Sequence, residues 1–230
     1  QWSSSAASDV YKRQGMGVVA TSAFSILTML IAIPTGVKIF NWIGTMWGGR
    51  IRFETPMLFA LGFITMFMIG GFTGIMHSSV PIDAQHQDTY FVVAHFHYVL
   101  IGGALFGLFS GFYYWLPKIT GRMMSEKLGK FVFTLMFLGF NLTFFPMHYL
   151  GMIGQPRRTH SYNEGHGFET WNQIATVGSF ILGVGVFIGV LQFIHSAYSK
   201  KLKPAGKNPW DARTLEWTLS SPVKEYNFAR

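Results

Sequence analysis

The middle of the chain carries two histidines inside a long apolar run, which reads Phe91-Val92-Val93-Ala94-His95-Phe96-His97-Tyr98-Val99-Leu100. The run continues through Gly102 and Gly103 to Phe106, and its length suits a helix that crosses a membrane. Imidazoles are costly to bury among apolar side chains unless they have partners. The segment therefore predicts a membrane-spanning helix with two functional side chains.

The spacing of the two histidines places them on different sides of that helix. At about 100° per residue, two positions in the chain correspond to about 200° around the helix. His95 and His97 therefore cannot readily ligate one metal, but each ring can face a separate centre. Neutral imidazole is a favoured axial ligand of haem iron. The alternative is that both are packing histidines bonded to backbone carbonyls.

The composition of the chain is typical of a membrane protein. Half of its 230 residues are hydrophobic and 12% are charged, whereas globular domains carry about 25% charged residues. The net charge of +8 does not indicate nucleic-acid binding, because the basic residues cluster between apolar runs. The chain has no cysteine, which excludes disulfides, thiolate metal sites and cysteine nucleophiles.

Five apolar runs are long enough to cross a bilayer, which takes about 20 residues. They lie near residues 17–43, 56–77, 90–116, 130–152 and 171–198. We therefore expect an all-α membrane protein whose helical bundle covers residues 15–199. The loops after the first and third runs and the C-terminal tail are rich in Lys and Arg, whereas loop 78–89 has neither. The positive-inside rule then predicts that the basic loops and the C-terminus are cytoplasmic.

The two ends of the chain differ from the bundle. Residues 1–14 are polar and resemble a translated library adapter. We expect them to be a non-native scar, with the native sequence continuing upstream of Gly15. Residues 200–230 are polar and contain several prolines, which predicts a surface tail rather than a domain.

A row of polar side chains lies in the first apolar run. Thr35 and Lys38 follow Thr28 by seven and ten positions, so the three share roughly one helix face. Two hydroxyls and an amine on one face can hold water and pass protons. The alternative is that Lys38 extends its ammonium group to the nearby membrane interface.

Two arginines follow the fourth run, on the side predicted to face outwards. Arg157 and Arg158 oppose the positive-inside bias there. They suggest a fixed anionic partner, since the forked donors of arginine suit carboxylates. Haem propionates are such carboxylates, and the alternative is a surface basic pair.

An acidic cluster precedes the histidine helix on the same side. Its members are Asp83, His86, Gln87 and Asp88. These side chains could bind a hard cation or join a propionate network. The alternative is that the acidic residues only cap a helix.

Several of these segments resemble subunit I of the haem-copper terminal oxidases. The matching stretches are Ile33–Lys38, Asp88–Tyr98, Pro156–Arg158 and Arg213–Trp217. The resemblance runs from about Gly15 to the C-terminus and implies that the five spans are the last five of a twelve-helix bundle.

The resemblance also implies a function. The chain would be the C-terminal part of the catalytic subunit of a proton-pumping oxidase, which reduces oxygen to water with electrons from cytochrome c. The alternatives are a quinol-oxidising relative and a non-catalytic truncated fragment.

The same resemblance implies roles for residues inside the membrane. His95 matches the iron ligand of the high-spin haem, and His97 matches an iron ligand of the low-spin haem. Thr28, Thr35 and Lys38 match residues of a proton pathway.

At the outer side, the resemblance concerns haem propionates and magnesium. Arg157 and Arg158 match the pair that binds haem propionates, and Asp83 is expected to join them. Asp88 matches a Mg²⁺ ligand. Many family members carry His at the preceding position, where this chain has Gln87 beside His86, so either residue is a candidate second ligand.

Cofactors and partners follow from the resemblance as well. It implies two a-type haems, Mg²⁺ and, in the complete subunit, copper B. The partners would be oxidase subunits II and III, cytochrome c and the lipid bilayer of a bacterial inner membrane, with no nucleic acid. The His-His pair that binds copper B in the family falls at Asp9-Val10, inside the expected scar. This chain as written therefore lacks copper B ligands, and we expect it to be inactive alone.

Overall fold

Five long apolar helices dominate the computed structural model of the chain, which describes residues 17–162, 165–199, 201–224 and 226. The candidate membrane spans are Gly17–Met46, Thr55–Ser78, Tyr90–Thr120, Glu126–Met152 and Glu169–Tyr198. The predicted all-α class and its five spans are confirmed. The expected scar at residues 1–14 lies outside the described residues.

We number the α-helices α1 to α7 in chain order. They are α1 (Gly17–Met46), α2 (Thr55–Ser78), α3 (Val80–His86), α4 (Tyr90–Val99), α5 (Phe106–Thr120), α6 (Glu126–Met152) and α7 (Glu169–Tyr198). Helix α3 is a short element outside the spans, in the loop that precedes the histidine helix.

The third span is not a uniform α-helix. A π-helical segment, Leu100–Leu105, joins α4 to α5. The glycines in it lie tightly against α2, because a Cβ on Gly102 would come within 2.8 Å of Met66 Cβ and one on Gly103 within 3.0 Å of Phe67 Cδ2. Such wide turns are rare and occur often at functional sites. Here the wide turn begins directly after the helix that carries both histidines.

The core lies where α2, α4, α5 and α6 meet. Its fully buried aromatic and aliphatic side chains include Phe59, Met66, Tyr98, Phe106 and Phe140. Helix α1 lies at the edge of this core, and Ile39 is its buried residue among those described. The histidine helix is therefore central, whereas the helix with the predicted proton row is peripheral.

Helices α6 and α7 pack closely against each other. A Cβ on Gly139 would lie 2.4 Å from the Leu182 amide nitrogen, and one on Gly178 would lie 2.6 Å from that of Thr143. Only glycine permits backbones to approach this closely, as is common between membrane helices.

The C-terminal tail folds back over the end of α5. The buried Lys118 ammonium group donates to Leu219 O at 2.7 Å and Lys207 O at 3.1 Å. The same group lies 5.1 Å from the ring of Trp217, which is also buried. These contacts fix the tail to the helix ends.

Candidate functional site

His95 faces α2 and is held by it. Its Nδ1 lies 2.9 Å from Thr73 Oγ1 and 3.1 Å from the carbonyl oxygen of Gly70. Thr73 Oγ1 itself donates to Gly70 O at 2.9 Å. Because a carbonyl can only accept, these contacts favour the tautomer protonated on Nδ1. The lone pair is then on Nε2, as in metal-ligating histidines whose other nitrogen is hydrogen-bonded.

His97 faces α6 and is held differently. Its Nδ1 lies 2.8 Å from Val93 O, one turn back in its own helix. The ring stacks on Phe144 of α6, with centroids 4.1 Å apart and planes at 15°. The carbonyl again favours the Nδ1–H tautomer and leaves the lone pair on Nε2.

Both histidines are thus bonded to backbone carbonyls, which the packing alternative also expected. The bonds nevertheless use only Nδ1 of each ring. They orient each Nε2 rather than consume it, so the geometry is suited to axial ligation on two sides of one helix.

A cavity of about 1150 Å³ lies beside His95. Its walls come mainly from α1 and α2, with residues of α3 and α4, and include Gly70, Gly71 and Gly74 as well as apolar side chains. A Cβ on Gly74 would come within 3.1 Å of His95 Cε1, so glycine keeps the space next to the imidazole open. Asp83, Gln87, Asp88 and Arg157 line one end of the cavity.

These observations fit a haem. A large flat apolar group needs a broad apolar wall, and its carboxylates need a cation at one edge. The cavity provides both, with His95 in its wall and Arg157 at its end.

Arg157 and Asp88 form a tightly built unit at that end. Arg157 Nε and Nη2 lie 3.0 Å and 2.8 Å from Asp88 Oδ1, and the Arg157 amide donates to Asp88 O at 2.8 Å. Both Asp88 and Arg158 have positive φ, 60° and 63°. Residues other than glycine hold such backbone conformations only where the surroundings enforce them. Arg157 lines the cavity, whereas Arg158 is exposed and is not part of its lining.

The residues before Asp88 divide between two environments. Asp83 and Gln87 line the cavity. His86 instead stacks on Phe91, with centroids 4.2 Å apart. Burial and the neighbouring His77 lower the pKa of His86, while Asp83 opposes this shift. Of the two candidate ligands next to Asp88, Gln87 is therefore the one on the cavity side, and magnesium binding stays a prediction.

The predicted proton row is only partly assembled beside the cavity. Thr28 and Thr35 line it, and their hydroxyls donate to Phe24 O and Ile31 O of the same helix at 2.8 Å and 2.9 Å. Lys38 is exposed and does not belong to the lining, whereas Ile39 does. The structure therefore groups the two hydroxyls with the cavity and leaves the amine apart from it.

Sequence reasoning missed His77, which lies next to His95 with ring centroids 5.0 Å apart. His77 also packs edge-on to Phe91, as does His148 from α6, at 5.2 Å and 5.1 Å. One ring nitrogen each of His77, His86 and His148 is buried without a hydrogen-bond partner among the described residues. His77 follows Gly70 and Gly74 by seven and three positions, and this helical spacing was the signal that could have found it.

Comparisons with known proteins show which family the chain belongs to. The family model described as cytochrome C and quinol oxidase polypeptide I matches residues 11–181. Cytochrome c oxidase subunit 1 of Alkalihalophilus pseudofirmus is 51% identical over 216 residues, which cover 94% of this chain and 34% of that protein. The Bacillus subtilis protein of that name is 49% identical, with 93% of this chain and 34% of the relative covered. The Cereibacter sphaeroides protein is 48% identical, with 93% of this chain and 38% of the relative covered.

A solved structure described as a heme-copper terminal oxidase dimer has the same fold. It superimposes with a TM-score of 0.68 over 83% of this chain and 39% of that chain. The sequence identity is 20%, so this likeness supports the fold alone.

The chain therefore belongs to the cytochrome c and quinol oxidase polypeptide I family, the family of the haem-copper oxidases. This confirms the resemblance, and the named relatives are cytochrome c oxidase subunit 1. The chain spans about a third of the length of these curated relatives. It is a multi-pass membrane protein of a family that implies haem and copper cofactors and partner subunits.

Proposed function

We propose that this chain is the C-terminal part of the catalytic subunit of a terminal oxidase that reduces oxygen to water and pumps protons. One observation carries the proposal. Two imidazoles of one membrane helix face opposite sides, and in each the Nδ1 atom is bonded to a carbonyl while Nε2 holds the lone pair. Family membership supplies the reaction class.

In this proposal His95 holds the high-spin haem and His97 the low-spin haem. When bound, the haems supply electron transfer and oxygen reduction. Thr73 and Gly70 orient the His95 ring, and the glycine wall of α2 excludes side chains from the space next to it. Phe144 covers one face of the His97 ring.

The charged end of the cavity has a binding role in the proposal. Arg157 lines the cavity and would neutralise the carboxylates of a bound haem, and Asp83 lines the same end of the cavity. Asp88 fixes the Arg157 guanidinium group. In the assembled oxidase, Arg158 would bind the second haem propionate, and Asp88 with Gln87 would bind Mg²⁺. In this chain, the Asp88 carboxylate is bonded to Arg157.

Proton delivery is assigned to the row on α1. The hydroxyls of Thr28 and Thr35 line the cavity and can order water along it. Lys38 would exchange protons between the basic side of the membrane and this row. Copper B belongs to the complete subunit, and Asp9 and Val10, at the positions of its family ligands, lie outside the described residues.

The electron donor in the proposal is cytochrome c, with subunits II and III as partners in a bacterial inner membrane. The relatives named cytochrome c oxidase subunit 1 favour this donor over quinol. The basic loops and the C-terminus would be cytoplasmic. Cysteine labelling from each side, with residues introduced at Ser79 and Lys201, tests this orientation, and labelling of both from one side would contradict it.

The test of function uses the complete oxidase purified from its membrane. We expect reduced-minus-oxidised spectra to show two haems, of which carbon monoxide shifts one. Oxygen uptake should follow addition of reduced cytochrome c. Oxygen uptake with quinol but not with cytochrome c would identify quinol as the electron donor. A spectrum with a single haem, or no oxygen uptake with either donor, would overturn the proposal.

A further inference from the structure

A second cavity lies between α6 and α7, where the tail begins. Its volume is about 420 Å³, and it shares no lining residue with the cavity at His95. Its apolar lining residues are Met124, Leu128, Ile188, Leu191 and Leu202. The rest of the lining includes Ser125, Gln192, His195 and Ser196. It is therefore an amphipathic cavity at the ends of two membrane helices.

One buried polar group in this lining is unsatisfied. Ser196 is fully buried, and its hydroxyl has no hydrogen-bond partner among the described residues. The neighbouring Gln192 differs, because its side chain donates to Ser125 O at 3.0 Å and accepts from the Tyr113 hydroxyl at 2.8 Å. Buried hydroxyls are normally hydrogen-bonded, so Ser196 marks a place for a ligand acceptor.

The charge around the cavity is positive. Ser125 caps α6, whose N-terminus favours a negative group. Exposed lysines flank the lining at Lys127, Lys201 and Lys203. Arg122 is tied to the same corner, because its Nη1 donates to Ala197 O at 3.1 Å.

The nearby acidic side chain is turned away from this corner. Glu126 accepts from the amide and the hydroxyl of Thr55 on α2, at 3.0 Å and 2.9 Å. The rim of the cavity therefore keeps its positive character.

We propose that this cavity binds an anionic phospholipid. The phosphate would lie at the basic rim, and an ester oxygen of the lipid, deeper in the cavity, would accept from the Ser196 hydroxyl. An acyl chain would lie along Leu128, Ile188 and Leu191. The ends of membrane-spanning helices are at the depth of lipid headgroups, and basic residues there attract anionic lipids. The proposal is independent of the oxidase reaction.

The test is native mass spectrometry of the complete oxidase in detergent, with phosphatidylglycerol, phosphatidylcholine or inorganic phosphate added. We expect one tightly retained phosphatidylglycerol per catalytic subunit. Leu191→Trp fills the cavity and should abolish this adduct. Val184→Trp is the matched control, since Val184 is similarly exposed on α7, at 52% against 48%, but does not line the cavity.

A second variant tests the charge of the rim without filling the cavity. Lys203→Gln should weaken phosphatidylglycerol binding about fivefold, the effect expected for one basic residue near a lipid surface. Equal retention by the Leu191→Trp variant and the wild type would overturn the proposal. Equal binding of phosphatidylcholine, or displacement of the lipid by inorganic phosphate, would also overturn it. The same holds if the wild type retains no lipid at all, which would mean that protein covers the cavity.

Discussion

His95 and His97 are separated by one residue, yet the fold orients them by different means. His95 depends on another helix, because Thr73 and Gly70 of α2 hold its Nδ1. His97 depends on its own helix through Val93 O and receives only a stacking contact from α6. The comparison teaches that the orientation of the His95 ring is sensitive to the packing of α2 against α4, whereas the orientation of the His97 ring is set by its own helix.

The largest effect should come from removing either ring in the complete oxidase. His97→Ala should remove the low-spin haem spectrum and leave the high-spin haem at least partly assembled. His95→Ala should do the reverse, because neither ring can turn about 200° around the helix to replace the other. Reduced-minus-oxidised spectra with carbon monoxide measure both outcomes. His160→Ala, at an exposed position, is the control, and loss of the same haem in both variants would contradict the two-sided assignment.

Lys38→Met tests whether the Lys38 amine, which lies apart from the cavity, supplies protons to the site proposed beside His95. It keeps a side chain of similar length and removes the titratable group. We expect oxygen turnover to fall by about 10²–10⁴-fold, as for loss of a general acid–base group, with both haem spectra retained. The exposed Lys130 provides the matched Lys130→Met control. Near-normal turnover would mean that Lys38 only extends to the membrane interface.

Thr73→Val removes the side-chain partner of His95 and nothing from His97. Loss of such a hydrogen bond to a metal ligand typically costs about 10–100-fold in metal affinity or activity. We therefore expect easier loss of the high-spin haem during purification, measured by carbon monoxide binding, and an unchanged low-spin spectrum. Thr65→Val is the control, since Thr65 is exposed on the same helix and bonds its own backbone. A loss that affected both haems equally would show general destabilisation instead.

Arg157→Lys tests the charged end of the cavity on the His95 side. It replaces two donors to Asp88 Oδ1 with one ammonium group. Hydrogen bonds to charged groups are worth about 1.5–3 kcal/mol, so we expect heat to release the high-spin haem at lower temperature. Arg158→Lys should have a smaller effect, because Arg158 does not line the cavity. Equal effects would show that the two arginines act together.

The smallest effect is expected on the His97 side. Phe144→Leu removes an aromatic stacking contact, worth about 0.5–1.5 kcal/mol beyond the area it buries. The low-spin band should shift slightly without loss of haem, because Val93 O still orients the ring. Phe131→Leu, at an exposed position of α6, is the control. Loss of the low-spin haem would show that α6 holds His97 as firmly as α2 holds His95.

The sequence predicted those features that one helix determines by itself. The spans follow from apolar composition, and the opposite directions of His95 and His97 follow from the residue spacing. Features that need two elements could not be predicted in this way. The separation of Lys38 from the cavity and the position of His77 beside His95 depend on how helices pack. The burial of Trp217 against Lys118 depends on where the tail folds back.

The π-helical segment at Leu100–Leu105 sets the angle between the histidine helix and α5. A π turn holds one residue more than an α turn, so the chain fits an additional residue between the two helices within a single turn. If the same residues formed a regular α-helix, the additional residue would rotate α4 against α5 by about 100°. With α5 held by the core, His95 would then turn away from Thr73 of α2 and His97 from Phe144 of α6. The wide turn therefore works as a spacer that keeps both imidazoles aimed at their neighbours.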